Sequence, residues 1–422
     1  MATVTLTPDL VCEASDWEWV RFKEETDFSN QISGCKNGRI GVALIGLGRM
    51  GLIHLRNLLR ETRAKPLYCF DSDSSRLAAC AKTMFFDELG IKALPSDNYN
   101  EALKDPEVKA IIIATPTCFH EQYTKLALKA GKNVLCEKPL TLKTDEIVPL
   151  YQLAKENKVF LMCGFNRRYD PDFKHLHKRT RERDSLGSLQ LIKITARDCQ
   201  RPPLSYVRVS GGLFHDTAIH DIDMCLWLAR QLPVSIQVMG KTWKEYFKNE
   251  PSLMADLSVK DRELLQEIDD FFLAVITMKF PDGSIGMIDN SRKVNYGYDQ
   301  RCEIYGSNGM LKTDGRRSLN VKSYGELGII HSNINYSFAS RYNAAYQNEL
   351  RDLLTMSELA DSDLYDNQFA ISARLLEPYR PTLVAATHKV ADACLAASKS
   401  GQVMQLDWLQ NFKEQFEFEI EL

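Results

Sequence analysis

The stretch "ALIGLGRMGLIHL", residues 43–55, decides the fold of this chain. It joins a short apolar run to a helical pattern, and Gly46, Gly48 and Gly51 stand between the two in the spacing G-x-G-x-x-G. The first glycine permits a tight turn, the second lets backbone approach a pyrophosphate, and the third lets the helix pack closely on the strand. The helix N-terminus attracts the anion through free N–H groups and its dipole. The stretch therefore predicts a strand, turn and helix that bind a dinucleotide.

A carboxylate follows the next apolar run and supports this interpretation. Asp71 ends "PLYCFD" (66–71), twenty residues after Gly51, where a carboxylate would bind the ribose hydroxyls. Its charge would repel a 2′-phosphate, so we expect NAD, while Arg76 leaves NADP as the second option. Arg49 and Met50, inside the glycine loop, are assigned to the same cofactor site. A glycine turn followed by an unrelated loop aspartate is the alternative interpretation.

The apolar pattern changes character near residue 164. Short apolar runs alternate with helical patterns before it, as in a parallel sheet buried on both faces; they lie at 41–46, 66–70, 110–114, 133–137 and 159–164. The longer alternating stretches 189–198, 271–280 and 284–294 favour a one-sided antiparallel sheet. We predict an α/β chain with an N-terminal extension (1–38), a dinucleotide-binding Rossmann domain (39–164) and an α+β domain (165–422) with a large, mostly antiparallel open sheet.

Composition narrows the function classes. The 53 Lys and Arg against 56 Asp and Glu leave a net charge of −3, so neither nucleic acid nor an anionic membrane is an expected partner. The 11 cysteines form no CxxC pair, which favours a reduced protein over a disulfide scaffold or zinc module, and no metal is expected. No apolar run approaches the roughly 18 residues of a membrane span, and the start lacks a signal-peptide pattern, so we expect a cytoplasmic protein.

Two charged stretches interrupt the predicted second domain. Residues 244–267 and 356–380 are partly helical in pattern, and we interpret them as insertions or lids.

The run "AIIIATPTCFHEQY" (110–123) places a polar loop after a buried strand. Ligands of open α/β sheets bind outside the carboxyl ends of strands, so Thr115 and Pro116 are expected to border the cofactor. His120 begins the next helix, where it is either a cofactor contact or a structural partner.

The run "NVLCEKPLTL" (133–142) places Glu137 and Lys138 at the end of the next strand, beside the same cofactor. Pro139 removes a backbone donor, favours extended backbone at Lys138 and permits a cis bond. The lysine ammonium would then polarise a substrate oxygen or exchange a proton with it. An ordinary solvated lysine is the alternative.

The run "GGLFHDTAIHDID" (211–223) is unusually rich in histidine and aspartate for an apolar helix. Asp216 and His220, four apart, would lie on one stripe of that helix and face the cleft. A neutral His220 can take the proton of an alcohol, and Asp216 can bind a hydroxyl and stabilise the imidazolium. Because Lys138, Asp216 and His220 would titrate as a coupled set, the sequence leaves the choice of base open. His215 and Asp221 are predicted to point away from the cleft and to be structural, and Asp223 either supports His220 or is a simple helix charge.

These motifs together resemble a known family. In chain order, "GLGRMG", "ATPTCFH", "CEKPL", "GFNRRYDPDF" and "SGGLFHDTAIHDIDM" are similar to the glucose-fructose oxidoreductase, inositol dehydrogenase and rhizopine catabolism protein family. The stretch "YGYDQRCEIYGSNGML" (296–311) resembles the inositol 2-dehydrogenase branch. The resemblance covers residues 40–345 and, more loosely, 382–400.

The resemblance carries expectations about the site. It implies hydride transfer between NAD(P) and a hydroxyl carbon of a polyol or sugar, with Lys138, Asp216 and His220 as catalytic residues. It implies a substrate pocket lined by Arg167, Asp198, Thr217 and Tyr298 together with Lys138 and His220. It also implies a homo-oligomer, dimer or tetramer, formed through the second sheet. Arg167 in an interdomain ion pair and Tyr298 in ordinary sheet packing are the structural alternatives.

The sequence thus predicts an NAD-dependent dehydrogenase that oxidises a secondary hydroxyl of a cyclic polyol, myo-inositol or an isomer, to the ketone. Two alternatives stay open at this point. The first keeps the chemistry and changes the substrate to an aldose or a dihydrodiol. The second is a dinucleotide-sensing regulator that binds cofactor without turning it over.

Overall fold

The computed structural model describes residues 38–180, 186–315, 317, 319, 321–325, 328–360 and 380–406. Residues 1–37 of the predicted N-terminal extension and residues 361–379 of the second predicted insertion lie outside the described residues.

The first part of the chain is a six-stranded sheet in the order β3-β2-β1-β4-β5-β6. Its strands are β1 (Ile40–Ile45), β2 (Ala64–Asp71), β3 (Lys92–Pro95), β4 (Val108–Ile113), β5 (Asn133–Cys136) and β6 (Leu161–Cys163). All neighbours pair in parallel, and every residue of β1 and β5 is buried, as continuous apolar runs require. The strand order reverses between β1 and β4, which creates a crevice beyond their carboxyl ends.

Helices connect these strands. They are α1 (Arg49–Arg60), α2 (Ser74–Thr83), α3 (Phe86–Leu89), α4 (Asn100–Lys104), α5 (His120–Lys129) and α6 (Ile147–Glu156). The five predicted strands are confirmed to within a few residues at their ends. The short edge strand β3 was not predicted, because "KALP" is too short and too polar to stand out from a loop.

The second part is a seven-stranded sheet in the order β12-β11-β7-β10-β9-β8-β15. Its strands are β7 (Leu189–Arg197), β8 (Ser235–Thr242), β9 (Phe271–Lys279), β10 (Ile285–Ser291), β11 (Asp299–Gly306), β12 (Gly309–Thr313) and β15 (Met404–Gln405), and β13 (Lys322–Gly325) pairs with β14 (Gly328–His331) as a separate hairpin. Only the pair β7–β10 in this seven-stranded sheet is parallel, which confirms a mostly antiparallel sheet.

The remaining helices are α7 (Pro171–Thr180), α8 (Leu204–Val207), α9 (Gly212–Asp216), α10 (Ala218–Ala229), α11 (Trp243–Lys248), α12 (Pro251–Ala255), α13 (Val259–Glu267), α14 (Phe338–Arg341), α15 (Asn343–Ala360) and α16 (Pro381–Ser400). Helices α10 and α16 cover one face of the second sheet, and α15 returns to pack on α1 and β5 of the first sheet. The predicted insertion 244–267 forms α11–α13, which build a small core of their own against α8 and the start of β9. None of the helices in the described ranges combines the length and apolar character that a bilayer crossing requires.

Candidate active site

The glycine loop between β1 and α1 is shaped for a close backbone approach. Gly46 has φ of +92°, a conformation that L side chains rarely adopt, and a Cβ on Gly51 would overlap the Gly46 carbonyl oxygen. A Cβ on Gly48 would instead meet open space. Gly48 is the N-cap of α1 and provides no side-chain cap, so the N–H groups of the first turn face this opening. The loop offers an anion a cradle at the crevice between β1 and β4.

Asp71 lies at the end of β2 beside this cradle, and its buried carboxylate is held by three neighbours. It accepts from the Leu47 N–H at 2.7 Å, from the Asp73 N–H at 2.8 Å and from Arg76 Nη1 at 3.1 and 3.2 Å. The Leu47 bond fixes Asp71 against the glycine loop. Arg76, which is nearly half exposed, lies over the carboxylate.

The loop after β4 contains both a polar group without a partner and a fixed histidine. Thr115 Oγ1 is buried and has no hydrogen-bond partner within the described part of the chain. His120 uses both ring nitrogens on backbone oxygens, Nε2 at 2.9 Å from Thr115 O and Nδ1 at 2.8 Å from Pro139 O. His120 therefore connects the loop after β4 to the loop after β5, which is a structural role. Burial lowers the pKa of His120, and these two bonds offset part of that effect.

Glu137 and Lys138 follow β5 directly. Glu137 Oε1 lies 2.7 Å from His54 Nε2 on α1, and Glu137 Oε2 accepts from the Lys138 N–H at 3.3 Å. The Lys138–Pro139 bond is cis. The Lys138 ammonium reaches the second half of the chain, where it donates to the Asp216 carbonyl oxygen and lies 3.3 Å from Asp216 Oδ1.

Asp216, at the end of α9, is surrounded by donors. Tyr206 donates to Oδ1 at 2.7 Å, and Arg292 Nη1 donates to Oδ2 at 2.9 Å. Burial alone would raise the pKa of Asp216, but the charges of Lys138 and Arg292 and the hydrogen bonds of Tyr206 and Arg292 outweigh it and lower the pKa. Asp216 is therefore an ionised carboxylate at neutral pH.

His220 lies one turn further on, with its ring edge-on to Phe165 at a centroid distance of 6.1 Å. Nδ1 is buried and has no hydrogen-bond partner among the described residues. Burial, together with the charges of Lys138 and Arg167, lowers the pKa of His220 well below that of an ordinary histidine. The imidazole is neutral at pH 7 and therefore able to accept a proton.

The single helix expected through Asp216 and His220 is wrong. Helix α9 ends at Asp216 and α10 begins at Ala218, with Thr217 between them at φ −105°. The Thr217 hydroxyl donates a hydrogen bond to the Leu213 carbonyl oxygen at 3.2 Å. A hydrogen bond of this kind, from a side chain to the carbonyl four residues earlier, bends helices. Asp216 and His220 are therefore neighbours of Lys138 on two helices that meet at Thr217.

The predicted substrate contacts Arg167 and Thr217 converge on one buried cluster. Arg167 Nη1 donates to Asp221 Oδ1, and Asn290 donates to Asp221 Oδ2 at 2.6 Å. The Thr217 hydroxyl lies 3.3 Å from Asn290 Oδ1. Asp221 therefore anchors the Arg167 guanidinium beside the cleft instead of turning away from it.

Asp198 and Tyr298 lie near the same cluster. Asp198 is half-buried, and the charges of Arg292, Asp216 and Arg167 act on it. Burial raises the pKa of Asp198 to about 6, an effect that Arg292 partly offsets. Tyr298 is buried with its ring edge-on to Tyr342 at 6.2 Å.

Two other charged residues of the 211–223 stretch point away from this group. His215 Nε2 lies 2.8 Å from Asp392 Oδ1 on α16. Asp223 accepts from Arg168 and from Thr387. Asp223 is thus a structural anchor of α10, and it does not support His220.

Sequence reasoning missed Tyr206 and Arg292. No local pattern marks Tyr206, because α8 is a single short turn and its tyrosine meets Asp216 only through the fold. Arg292 could have been predicted, because it directly follows the alternating strand "SIGMIDNS", at a carboxyl end of a strand, where site residues are often found.

A dinucleotide cradle at the first sheet, and a lysine that bonds an aspartate on a helix packed against the second sheet, define a two-domain dinucleotide-dependent oxidoreductase. Comparison with known proteins shows the family to which this oxidoreductase belongs. Residues 40–165 match the model of the GFO/IDH/MocA oxidoreductase family, NAD-binding Rossmann fold, and residues 176–312 match the GFO/IDH/MocA C-terminal domain. The chain belongs to this family, and NAD is its cofactor, as predicted.

Named relatives agree with this assignment. The myo-inositol 2-dehydrogenase of Thermotoga maritima is 37% identical over 316 residues, covering 75% of this chain and 87% of that protein. The scyllo-inositol 2-dehydrogenase (NAD(+)) of Bacillus subtilis is 30% identical over 314 residues, covering 74% and 84%. The crystal structure of a probable dehydrogenase from Thermotoga maritima matches with a TM-score of 0.72 and 28% identity, covering 87% of this chain and 99% of that chain.

Proposed function

We propose that this protein oxidises a secondary hydroxyl of a cyclic polyol, myo-inositol or an isomer, to the ketone with NAD⁺. One observation carries the proposal: the Lys138 ammonium, from the loop after β5, lies against Asp216, and its charge acts on the neutral His220. The names of the relatives that act on inositols support the substrate class.

The residues of the first domain fit NAD. Gly46, Gly48, Arg49, Met50 and Gly51 would hold the pyrophosphate, because Gly48 borders open space at an uncapped helix N-terminus.

Asp71 and Arg76 would lie at the adenosine ribose, and Thr115, with its buried unpartnered hydroxyl, and Pro116 would border the nicotinamide half. We assign His120 and Glu137 supporting roles, because His120 joins two loops of this rim and Glu137 joins Lys138 to α1.

The proton chemistry is assigned to side chains of this chain. NAD⁺, when bound, supplies the hydride acceptor. Lys138 binds the reacting hydroxyl and stabilises negative charge on its oxygen. His220, which is neutral at pH 7, accepts the hydroxyl proton. Asp216 is already ionised and bonded by three side chains, so it orients Lys138.

The other hydroxyls of the substrate meet a directional pocket. Arg167 supplies donors, the Thr217 hydroxyl oxygen and Asp198 supply acceptors, and Tyr298 lines the pocket beside Arg167. A site built to bond hydroxyls discriminates strongly, since a wrong epimer leaves buried groups unpaired.

We also propose that the chain assembles into a homo-oligomer through the outer face of the second sheet. That face carries the apolar residues Leu191, Met239, Val275, Ile285 and Met287, which pack against neither apolar core in the described part of the chain, while the opposite face packs on α10 and α16. Met239 is 72% exposed and Ile285 is 47% exposed, a contiguous patch of the kind that marks an interface.

We propose residues 39–164 and 165–422 as the two domains and the cytoplasm as their location. The nine cysteines in the described ranges are free, which suits a reducing compartment.

The test of the substrate class is the rate of NADH formation by purified protein with NAD⁺ and a panel of myo-, scyllo- and chiro-inositol, glucose and xylose. We expect turnover with at least one inositol and little with the aldoses. Turnover with an aldose alone would overturn the substrate class, and NADH binding without turnover of any polyol would overturn the activity.

A further inference from the structure

The Asp216 carboxylate is occupied on both oxygens. Lys138 and Tyr206 donate hydrogen bonds to Oδ1 at 3.3 and 2.7 Å, and Arg292 donates one to Oδ2 at 2.9 Å. Neither the sequence motifs nor the likeness to relatives assigns a role to Arg292. Its side chain is 1% exposed, so its charge is removed from water and must be balanced by the protein.

Asp270, just before β9, provides that balance. Arg292 Nη2 lies 3.3 Å from Asp270 Oδ2, and Trp243 Nε1 donates to the same oxygen at 3.2 Å. Asp270 Oδ1 accepts from the Leu213 N–H at 2.7 Å, in the first turn of α9. Asp270 therefore positions both the guanidinium of Arg292 and the first turn of α9, the helix that ends at Asp216.

We propose that Arg292 and Asp270 form a positioning pair that fixes the orientation of the Asp216 carboxylate and, through it, the Lys138 ammonium at the reacting hydroxyl. This inference rests on the proposed function. Arg292 touches neither the reacting carbon nor the reacting oxygen. It acts through Asp216, because a carboxylate held from both sides cannot rotate away from the lysine.

The charges around Asp216 give this role a distinctive signature. Lys138 approaches from the loop after β5, Tyr206 from α8, Arg292 from the end of β10, and Asp198 from the end of β7. Removing the Arg292 charge raises the pKa of Asp216, since one of the two cations that stabilise the carboxylate is lost. It raises the pKa of Asp198 for the same reason. His220 is affected by Lys138 and Arg167 instead.

The experiment compares Arg292→Gln with the wild type in NAD⁺-dependent oxidation of the best inositol. We expect kcat to fall about 100-fold, the cost of a misplaced catalytic group, with a smaller change in KM. We expect the acid limb of the kcat profile to move to higher pH. Repeating the comparison in an Asp198→Asn background removes the contribution of Asp198, and the shift should persist there. Arg292→Lys keeps the charge and should restore part of kcat.

Two controls separate positioning from folding. Arg341→Gln breaks a similarly buried pair with Asp170, away from Lys138, and should lower the melting temperature without moving the pH profile. Arg292→Gln/Asp270→Asn removes both charges of the positioning pair, so the variant should fold and bind NADH while kcat stays low.

The outcomes distinguish the two proposals. A wild type without activity on any polyol defeats the proposed function. An active wild type, with Arg292→Gln folded and unchanged in kcat and pH profile, overturns the positioning role. If the double variant recovers full kcat, the role is likewise overturned.

Discussion

The proposed chemistry depends on a lysine from one domain meeting an aspartate from the other. Lys138 follows a strand of the first sheet, whereas Asp216 ends a helix that packs on the second. Its ammonium is assigned to the reacting oxygen, so Lys138→Ala should lower kcat/KM by about 10²- to 10⁴-fold. His220→Ala should do the same, because it removes the neutral base.

Binding of NADH separates a lost catalytic group from a lost fold. The dinucleotide loop is built by residues 46–51, so fluorescence titration should show that both alanine variants still bind NADH. Wild-type turnover in both variants would show that the proton chemistry is assigned to the wrong residues.

Asp198, a proposed substrate contact, should make polyol binding depend on pH. Burial raises its pKa to about 6, so above that pH the ionised carboxylate accepts hydrogen bonds from substrate hydroxyls, and below it the carboxyl group becomes protonated. We expect KM for the polyol to rise several-fold as the pH falls through 6, a dependence that initial rates at varied substrate concentration measure. Asp198→Asn should have a high KM at every pH. A flat KM in the wild type between pH 5 and 8 would remove Asp198 from the pocket.

At the scale of elements, α10 is anchored by a buried ion pair separate from the catalytic group. Asp223 binds Arg168, which is 1% exposed. Asp223→Ala removes the carboxylate that binds this buried guanidinium, so we expect a loss of about 3–5 kcal/mol in the free energy of unfolding by urea. The pH profile of kcat should stay in place.

The matched control for this prediction is Asp392→Ala. It breaks the half-exposed pair with His215 and should cost far less stability. Equal losses in the two variants would contradict the structural role of Asp223.

The sequence predicted best the elements whose structure is decided locally. Gly46 and Gly51 are required by the turn and by the helix that packs on it, Gly48 leaves open space at the helix N-terminus, and the apolar runs of β1 and β5 mark strands buried on both faces. The break at Thr217 escaped prediction, because threonine is compatible with a helix and only its bond to the Leu213 carbonyl reveals the bend.

Residues that meet through long-range pairing were beyond sequence reasoning. Arg292 reaches Asp216 because β10 is placed between β7 and β9, and Tyr206 reaches it because the 244–267 insertion supports α8. The spacing of Arg292, Tyr206 and Asp216 along the chain does not predict that the first two lie close to the third.

At the scale of the whole molecule, the outer face of the second sheet is the expected contact between subunits. Met287 lies opposite Thr277 on β9 and Lys193 on β7, in the middle of that face. Met287→Asp places a charge there and should shift the sedimentation of the protein from an oligomer toward the monomer.

Gln152→Asp, at an exposed position of α6 and away from the second sheet, should leave the sedimentation unchanged. A monomeric wild type would contradict assembly through this sheet.

The most direct measurement follows the hydride itself. Purified protein is mixed with NAD⁺ and myo-inositol carrying deuterium on its ring carbons, and the reduced nicotinamide is analysed by mass spectrometry. We expect the reduced cofactor formed by the wild type to contain the substrate deuterium, and we expect almost no deuterated cofactor with Lys138→Ala. Bound NAD⁺ that acquires no deuterium from myo-inositol or from its scyllo and chiro isomers would contradict it.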